Sequence, residues 1–399
     1  MAEKVFQVCL AKTNDAGETL YTELDLPARP WALLDALDKV RHQDGDDFSL
    51  EIETYYDCEE LEPYLSADPL SLMELNDLAA RLSEMSDTQR IAFQGLLCMD
   101  EAKGKGAISL QRLRDLAASV DCCHVVREAR NPSQLGRFYA ENGFVPEIEN
   151  LPDSVFELLD FELIGRRCQQ GEGGVFTDSG YVVQNSDLNT APELNEIPQA
   201  PQYTVLLELS RITDYAPDVP PLRVEMPLHR RASMEILKVL NDPYSVERRW
   251  RCLDCKTPEL AGLIENSSDF SAVEALASEL EKLNHSELAL YRAVLSATSC
   301  TEISQALELR NQLDQYILAP EISTPEDQAR AELTLILPKS DAQAVASHLN
   351  LYAYGREMME KNNSVQTDYG LIRRKDGGQM PVIQKKQNEA PVWGGMEMT

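Results

Sequence analysis

LLDFELIGRRCQQGEGGVFTDSGYV, residues 158–182, decides how the chain is read. It returns near the C-terminus as LNLYAYGREMMEKNNSVQTDYGLI, residues 349–372. Gly165, Arg166, Val175, Thr177, Asp178 and Gly180 are each matched 190 positions later, by Gly355, Arg356, Val365, Thr367, Asp368 and Gly370. A constant offset across a helix-like half and a strand-like half marks internal repetition. Upstream, residues 75–97 line up with residues 273–295 at an offset of 198, so that Leu78, Leu82, Met85 and Leu97 meet Leu276, Leu280, Leu283 and Leu295. The strand from Val5 to Leu10 faces the one from Thr204 to Leu209, residues 24–27 face 224–227, and Asp57-Cys58 is matched with Asp254-Cys255. The drift of the offset means that the second copy is shorter, chiefly opposite the connector from Ala102 to Ile108. Loops absorb such losses at small entropic cost.

Each copy reads as a run of small modules. Residues 4–12 and 19–26 alternate as a hairpin around Ala16-Gly17 that ends at Pro27. Trp31, Leu34, Leu37 and Val40 recur at helical spacing, with Asp35 and Asp38 on the other face, before a turn at Asp44-Gly45-Asp46 and a half-buried strand over residues 48–54. From Ser71 to Val126 the pattern is helical throughout, with a cap at Ser86 to Gln89, and the vicinal Cys122-Cys123 is assigned to helix packing. Residues 131–143 and 156–164 predict two further helices, followed by a glycine turn and a hairpin turning at Asp178-Ser179-Gly180. The predicted fold class is α+β, a tandem repeat of an elongated unit made of a mixed sheet with a helix, a helical bundle and a second small α/β module.

The expected boundaries are 1–183 for the first unit (sheet module 1–66, helical module 67–128, α/β module 129–183) and 184–202 for a linker with three prolines. The second unit is expected over 203–374, followed by a tail over 375–399 that is mobile or docks through Trp393.

Of the 399 residues 67 are acidic and 37 basic, a net charge of −30 that repels nucleic acid and anionic membranes and attracts basic surfaces. At about one charge per 1.7 Å of duplex, such a charge equals that of roughly 50 Å of DNA. The distribution is uneven, with 38 acids and 16 bases in residues 1–200 against 29 and 21 in the remainder. Between Asp44 and Asp87 lie fourteen acids, namely Asp44, Asp46, Asp47, Glu51, Glu53, Asp57, Glu59, Glu60, Glu62, Asp68, Glu74, Asp77, Glu84 and Asp87, against Arg81 alone. They are interleaved with Phe48, Leu50, Ile52, Tyr55, Tyr56, Leu61 and Tyr64, which need burial, so the run predicts a folded acidic surface and not a tail.

No motif for chemistry is found. The five histidines form no H-x-x-x-H pair, Cys252-x-x-Cys255 is a lone C-x-x-C assigned a structural role, and the glycines at 171–174 lack the sequence of a phosphate loop. The carboxylates are too many and too alike for an acid–base pair, which needs environments that separate two pKa values. Arg166 and Arg356 are read as helix-end charges or ion-pair partners. No catalytic, cofactor-binding or metal-binding residue is therefore assigned. The nine cysteines show no disulfide framework, no apolar run approaches the roughly 18 residues of a membrane span, and the N-terminus lacks the layout of a signal peptide. A cytoplasmic location is expected.

The order of Tyr55-Tyr56-Asp57, L-N-x-L-A-x-x-L at 75–82, G-R-F-Y-x-E-N-G at 136–143, L-D-F-x-x-I-G-R at 159–166 and F-T-x-x-G-Y at 176–181 resembles the ArdA antirestriction proteins of conjugative elements and phages. The resemblance covers residues 4–184 well and 203–373 more faintly. It implies an acidic DNA mimic without enzymatic activity. Such a protein occupies the DNA groove of a type I restriction-modification complex, or of another DNA-directed defence complex, without binding nucleic acid or membrane itself. It also implies that function lies in distributed carboxylates: the set above, joined by Glu141, Glu147, Glu149, Asp153, Glu157, Asp160 and Glu162. Family members pair as homodimers, so a tandem chain reads as a pseudo-dimer that is free to pair further. The second reading is a mobile-element adaptor whose acidity serves solubility and whose second copy binds a protein partner.

Overall fold

The computed structural model describes residues 3–13, 19–41, 47–66, 69–104, 108–148, 151–213, 220–228, 236, 245–298 and 300–381. Asp44, Asp46, Asp68, Glu149, the turns at 16–17 and 44–46, and Trp393 in the tail lie outside them, as does the side chain of Asp153. The architecture is α+β, built of helices and three-stranded antiparallel sheets. Two compact units are present: residues 1–28 with 47–199, and residues 29–46 with 200–399.

The first unit opens with β1 (Phe6–Thr13) and β2 (Thr19–Leu26). Then follow α1 (Pro30–Lys39), which belongs to the second unit, and β3 (Ser49–Tyr55), in the sheet order β2-β1-β3. Phe6, Val8 and Leu10 alternate into the core, so Gln7 and Cys9 face the other side. A 3-10 turn at Glu59–Leu61 and α2 (Glu62–Leu65) lead to α3 (Leu72–Glu84), α4 (Asp87–Ala102) and α5 (Leu110–Ala117). The expected cap is present as a capping box between Ser86 and Gln89. Helical throughout to Val126 is not what is found. Cys122 ends a 3-10 turn and Cys123 begins β4 (Cys123–Val126), because the β-branched Val125 and Val126 pair with Val182 and Tyr181 of a later strand. α6 (Pro132–Glu141), α7 (Asp153–Phe156), α8 (Phe161–Glu172), β5 (Val175–Thr177) and β6 (Gly180–Gln184) complete this module, with sheet order β4-β6-β5.

The second unit repeats the plan with β7 (Val205–Thr213), β8 (Leu222–Met226) and β9 (Ser245–Cys255) in the order β8-β7-β9. Next come α9 (Ala261–Glu265), α10 (Phe270–Glu281), α11 (His285–Thr298) and α12 (Ile303–Asn311). β10 (Tyr316–Ala319), α13 (Pro325–Ile336), α14 (Lys339–Ala346), α15 (Leu351–Lys361), β11 (Val365–Thr367) and β12 (Gly370–Arg374) follow, with β12 central among the strands. Leu276, Leu280 and Leu295 sit in its core, as Leu78, Leu82 and Leu97 are buried in the first unit.

Three expectations need correction. Helix α1, expected within residues 1–183, packs in the second unit, where its Trp31 donates from Nε1 to the carbonyl of Tyr203 at 2.9 Å. Asp57-Cys58 is not the counterpart of Asp254-Cys255: Val205 pairs with Cys255 where Phe6 pairs with Tyr55, so the match by residue identity slips off the strand register. The segment after β6 is docked and does not hang as a linker. Asn189 bonds Ser119 in both directions, the Ala191 amide donates to Asp115 at 2.8 Å, and the Pro192 carbonyl accepts from Arg114 at 2.7 Å.

The recurring glycine of the opening motif marks a helix crossing. A Cβ at Gly165 would come within 1.8 Å of the Pro132 carbonyl oxygen on α6, and one at Gly355 within 1.7 Å of the Pro325 oxygen on α13. The two crossings force α6 against α8 and α13 against α15 with backbone in contact. Replacing either glycine by alanine or valine is expected to lower stability by about 1 to 3 kcal/mol, read as a fall in the denaturation midpoint; unchanged melting in both variants would contradict the assignment.

Candidate functional site

The acidic run falls into three structural classes. Along β3, the 3-10 turn and α2, the side chains of Asp47, Glu51, Glu53, Asp57, Glu59, Glu60 and Glu62 are all exposed. Strand alternation explains the pattern, since Leu50, Ile52 and Thr54 are half-buried between them. Cys9 pairs with Glu23 on one side and Glu51 on the other, which sets these two carboxylates two strand spacings apart, about 10 Å. A bulge adds to this: Gln7 pairs with Thr54 but Val8 with Ile52, leaving Glu53 as the extra residue. Glu53 stands close enough to act on the Cys9 thiol. Glu23 was not among the acids selected from the sequence; it lies on the other hairpin strand, and only pairing brings it to Glu51.

The thiols and phenols beside this surface register its field. Burial raises the Cys9 thiol, and Glu53, Glu23 and Glu51 raise it further. Burial pushes Cys58 up to about 12, with Glu60 and Glu59 adding to the shift. Tyr55 is raised by burial and then by Glu62.

The second class is structural. Glu74 and Asp77 of α3 hold Arg114, whose side chain is 0% exposed, with Nη1 3.3 Å from Glu74 Oε1 and Nε 2.9 Å from Asp77 Oδ2. Gln111 and the Pro192 carbonyl complete its shell. Asp77 also pairs with Arg81 at 3.0 Å. These two acids therefore do not belong to a free acidic surface, which corrects the reading of the run as uniform. Glu84 and Asp87 are exposed at the junction of α3 and α4.

In the third class, exposed acids of the α/β module share their positions with arginines. Arg137 bridges Glu141 and Glu157, Arg166 pairs with Glu162 at 2.7 Å, and Asp160 caps α8 by accepting from the Leu163 amide. Such exposed pairs contribute about 0 to 1 kcal/mol each, but they cancel charge. Glu147 is exposed.

A second charge cluster, in the other unit, was not legible as such. Helical spacing puts Asp35 and Asp38 on the polar face of α1, yet Asp35 is buried and both bind Arg292, itself 0% exposed, at 3.0 and 2.6 Å. Lys39 lies 2.9 Å from Asp35, and the Tyr369 hydroxyl meets both Asp35 and Glu259. A phenol has one proton to donate, so the two carboxyl groups compete for it. Burial holds Glu259 above its ordinary range, and the charge of Asp35 adds to this. Asp38 is likewise raised by burial, against the pull of Arg292. The sequence signal available was the position of Asp35 and Asp38 on one helix face; their partner, 254 residues beyond Asp38, was not.

Among the described residues no group of three or more His, Cys, Asp or Glu side chains is placed to hold a metal ion. No helix among them is long and apolar enough to cross a membrane. No family model and no curated protein matches the chain.

Two outcomes are expected here. Cys9 should be alkylated more slowly at pH 8 than an ordinary thiol, since a raised pKa leaves less thiolate; Glu51→Gln with Glu53→Gln should speed it, and peptide mapping of Cys9 would show no change if the field is absent. Arg114→Ala should cost roughly 3 kcal/mol, because it empties a fully buried site and leaves Glu74 without its ion-pair partner, and should expose residues 187–194 to limited proteolysis.

Proposed function

We propose that the chain is a non-enzymatic, acidic DNA mimic acting in the cytoplasm, which occupies the DNA groove of a type I restriction-modification complex or another DNA-directed defence complex. One observation carries the reading: seven consecutive acids of residues 47–62 are exposed on a folded strand, turn and helix, whereas Glu74, Asp77, Glu141, Glu157 and Glu162 of the same unit are paired with arginine. A basic groove that expects phosphates meets carboxylates held at fixed spacing, and each contact releases counterions as a phosphate contact does. The second unit, with its lower net charge, supplies length or a separate contact.

A protein-binding role for the second unit has its own support. Leu335 and Ile336 at the end of α13 are 79% and 66% exposed, and Tyr352 on α15 is exposed as well. Apolar side chains of this size in one module favour a protein partner, which is the adaptor reading confined to one unit.

The test is competition with labelled duplex for a restriction complex. Converting Glu51, Glu53, Asp57, Glu59, Glu60 and Glu62 to their amides keeps shape, and asparagine tolerates the φ of +52° at Asp57. The fold should survive and inhibition should weaken by several moderate increments of about 0 to 1 kcal/mol. Added salt should weaken the unaltered complex. The control neutralises Glu225, Glu281, Glu308, Asp314, Glu357 and Asp368, exposed acids of the second unit. Glu265, Glu274 and Glu279 are avoided because they accept hydrogen bonds or pair within that unit. Loss of inhibition with the second set alone would overturn the reading.

A further inference from the structure

One surface of the second unit is filled by α1, and among the described residues its counterpart in the first unit is an open cavity. In the second unit, Trp31, Asp35 and Asp38 form the contact face, spaced at i, i+4 and i+7. Trp31 bonds the Tyr203 carbonyl, its amide donates to Asp254 at 3.3 Å, and the Lys256 ammonium stands 5.7 Å from its ring. Asp35 and Asp38 are balanced by Arg292.

Strand register and helix alignment identify the corresponding positions of the first unit. The Val5 and Thr204 amides donate to the carbonyls of Leu26 and Met226, and the Tyr56 and Lys256 amides donate back to Val5 and Thr204, so Lys4 answers to Tyr203 and Tyr56 to Lys256. The helix offset of 198 sets Gln94 opposite Arg292 and Arg90 opposite Leu288. These residues line an open cavity of about 80 Å³ over an apolar floor of Leu61, Leu82 and Phe93. The cations have changed. Arg292 is replaced by a neutral amide, Lys256 by a tyrosine, and the rim carries exposed Asp57 and Glu60, while Lys4 and Arg90 are engaged by Asp25 and Glu3.

We infer that this surface of the first unit docks a helix of a protein partner, anchored by an aromatic side chain at its start and carrying cationic residues four and seven positions on. The geometry is that of α1 in its own site; the charge requirement is reversed, because acids at those positions would find Asp57 and Glu60 and no free guanidinium. The inference does not rest on DNA mimicry, and peptide binding is read separately from competition with duplex.

The probe is a helix-stabilised, fluorescein-labelled peptide of residues 28–41 carrying Asp35→Lys and Asp38→Lys, titrated with the full chain and followed by anisotropy. It should bind at least ten-fold more tightly than the peptide with the natural aspartates. Glu60→Lys with Asp57→Asn should weaken it at least ten-fold, while Glu51→Lys with Asp47→Asn, the same charge change on β3 and just before it, should leave it within two-fold; circular dichroism checks that both variants are folded. Equal affinity of the two peptides, equal loss in the two variants, or no anisotropy change with the chain at concentrations up to about 1 mM, where binding of only ~−4 kcal/mol would still register, would overturn the inference. Self-association in sedimentation that Glu60→Lys abolishes would assign the surface to a second copy of the chain and overturn the foreign partner.

Discussion

A chain with a net charge of −30 folds against its own repulsion, and burial of guanidinium groups among carboxylates is the interaction on which both units depend. Among the described residues Arg114 and Arg292 are the largest fully buried side chains, and each draws in two acids from a separate helix. A buried arginine without its acids would cost several kcal/mol, and the acids without it would be stranded beside other negative charges. The pairing therefore decides which helices must lie together: α3 with α5 in one unit, and α1 with α11 in the other. Arginine suits this role because its charge persists at any working pH and its planar fork can serve two carboxylates and a carbonyl together.

The internal pairing also sorts the acids that remain. Those on helices facing the core are used up by Arg114, and those on the α/β module are shared with Arg137 and Arg166. What is left exposed is concentrated on β3, the turn after it and α2. There the sheet supplies a rigid mount: strand alternation puts Glu53 on the same face as Glu51, and pairing through β1 brings Glu23 to it. Fixed spacing matters for any partner that reads charge, since flexible carboxylates would lose side-chain entropy on binding. The two units have diverged along the same logic, one holding Arg292 and Lys256 at the surface that receives α1 and the other having the neutral Gln94 and Tyr56 in their places.

By itself the sequence determined the repeat, the α+β class, most strand and helix positions, the capping box at Ser86 and the exposure of Glu51, Glu53, Glu59, Glu60 and Glu62. These follow from periodicity and local chemistry, which act within a few residues. The glycines 165 and 355 were also legible as points of close approach, because recurrence of a residue without a side chain has few other causes. Tertiary structure decided the rest. Whether Asp35 and Asp77 were surface charges or ion-pair partners depended on arginines far along the chain, and a helical wheel shows a polar face identically in both cases. Cys123 to Val126 became a strand because a free edge of β6 was available, and the segment around Pro192 became ordered because a buried guanidinium needed its carbonyl. Pairwise satisfaction of buried charge and backbone is a property of the folded whole, and no window of sequence contains it.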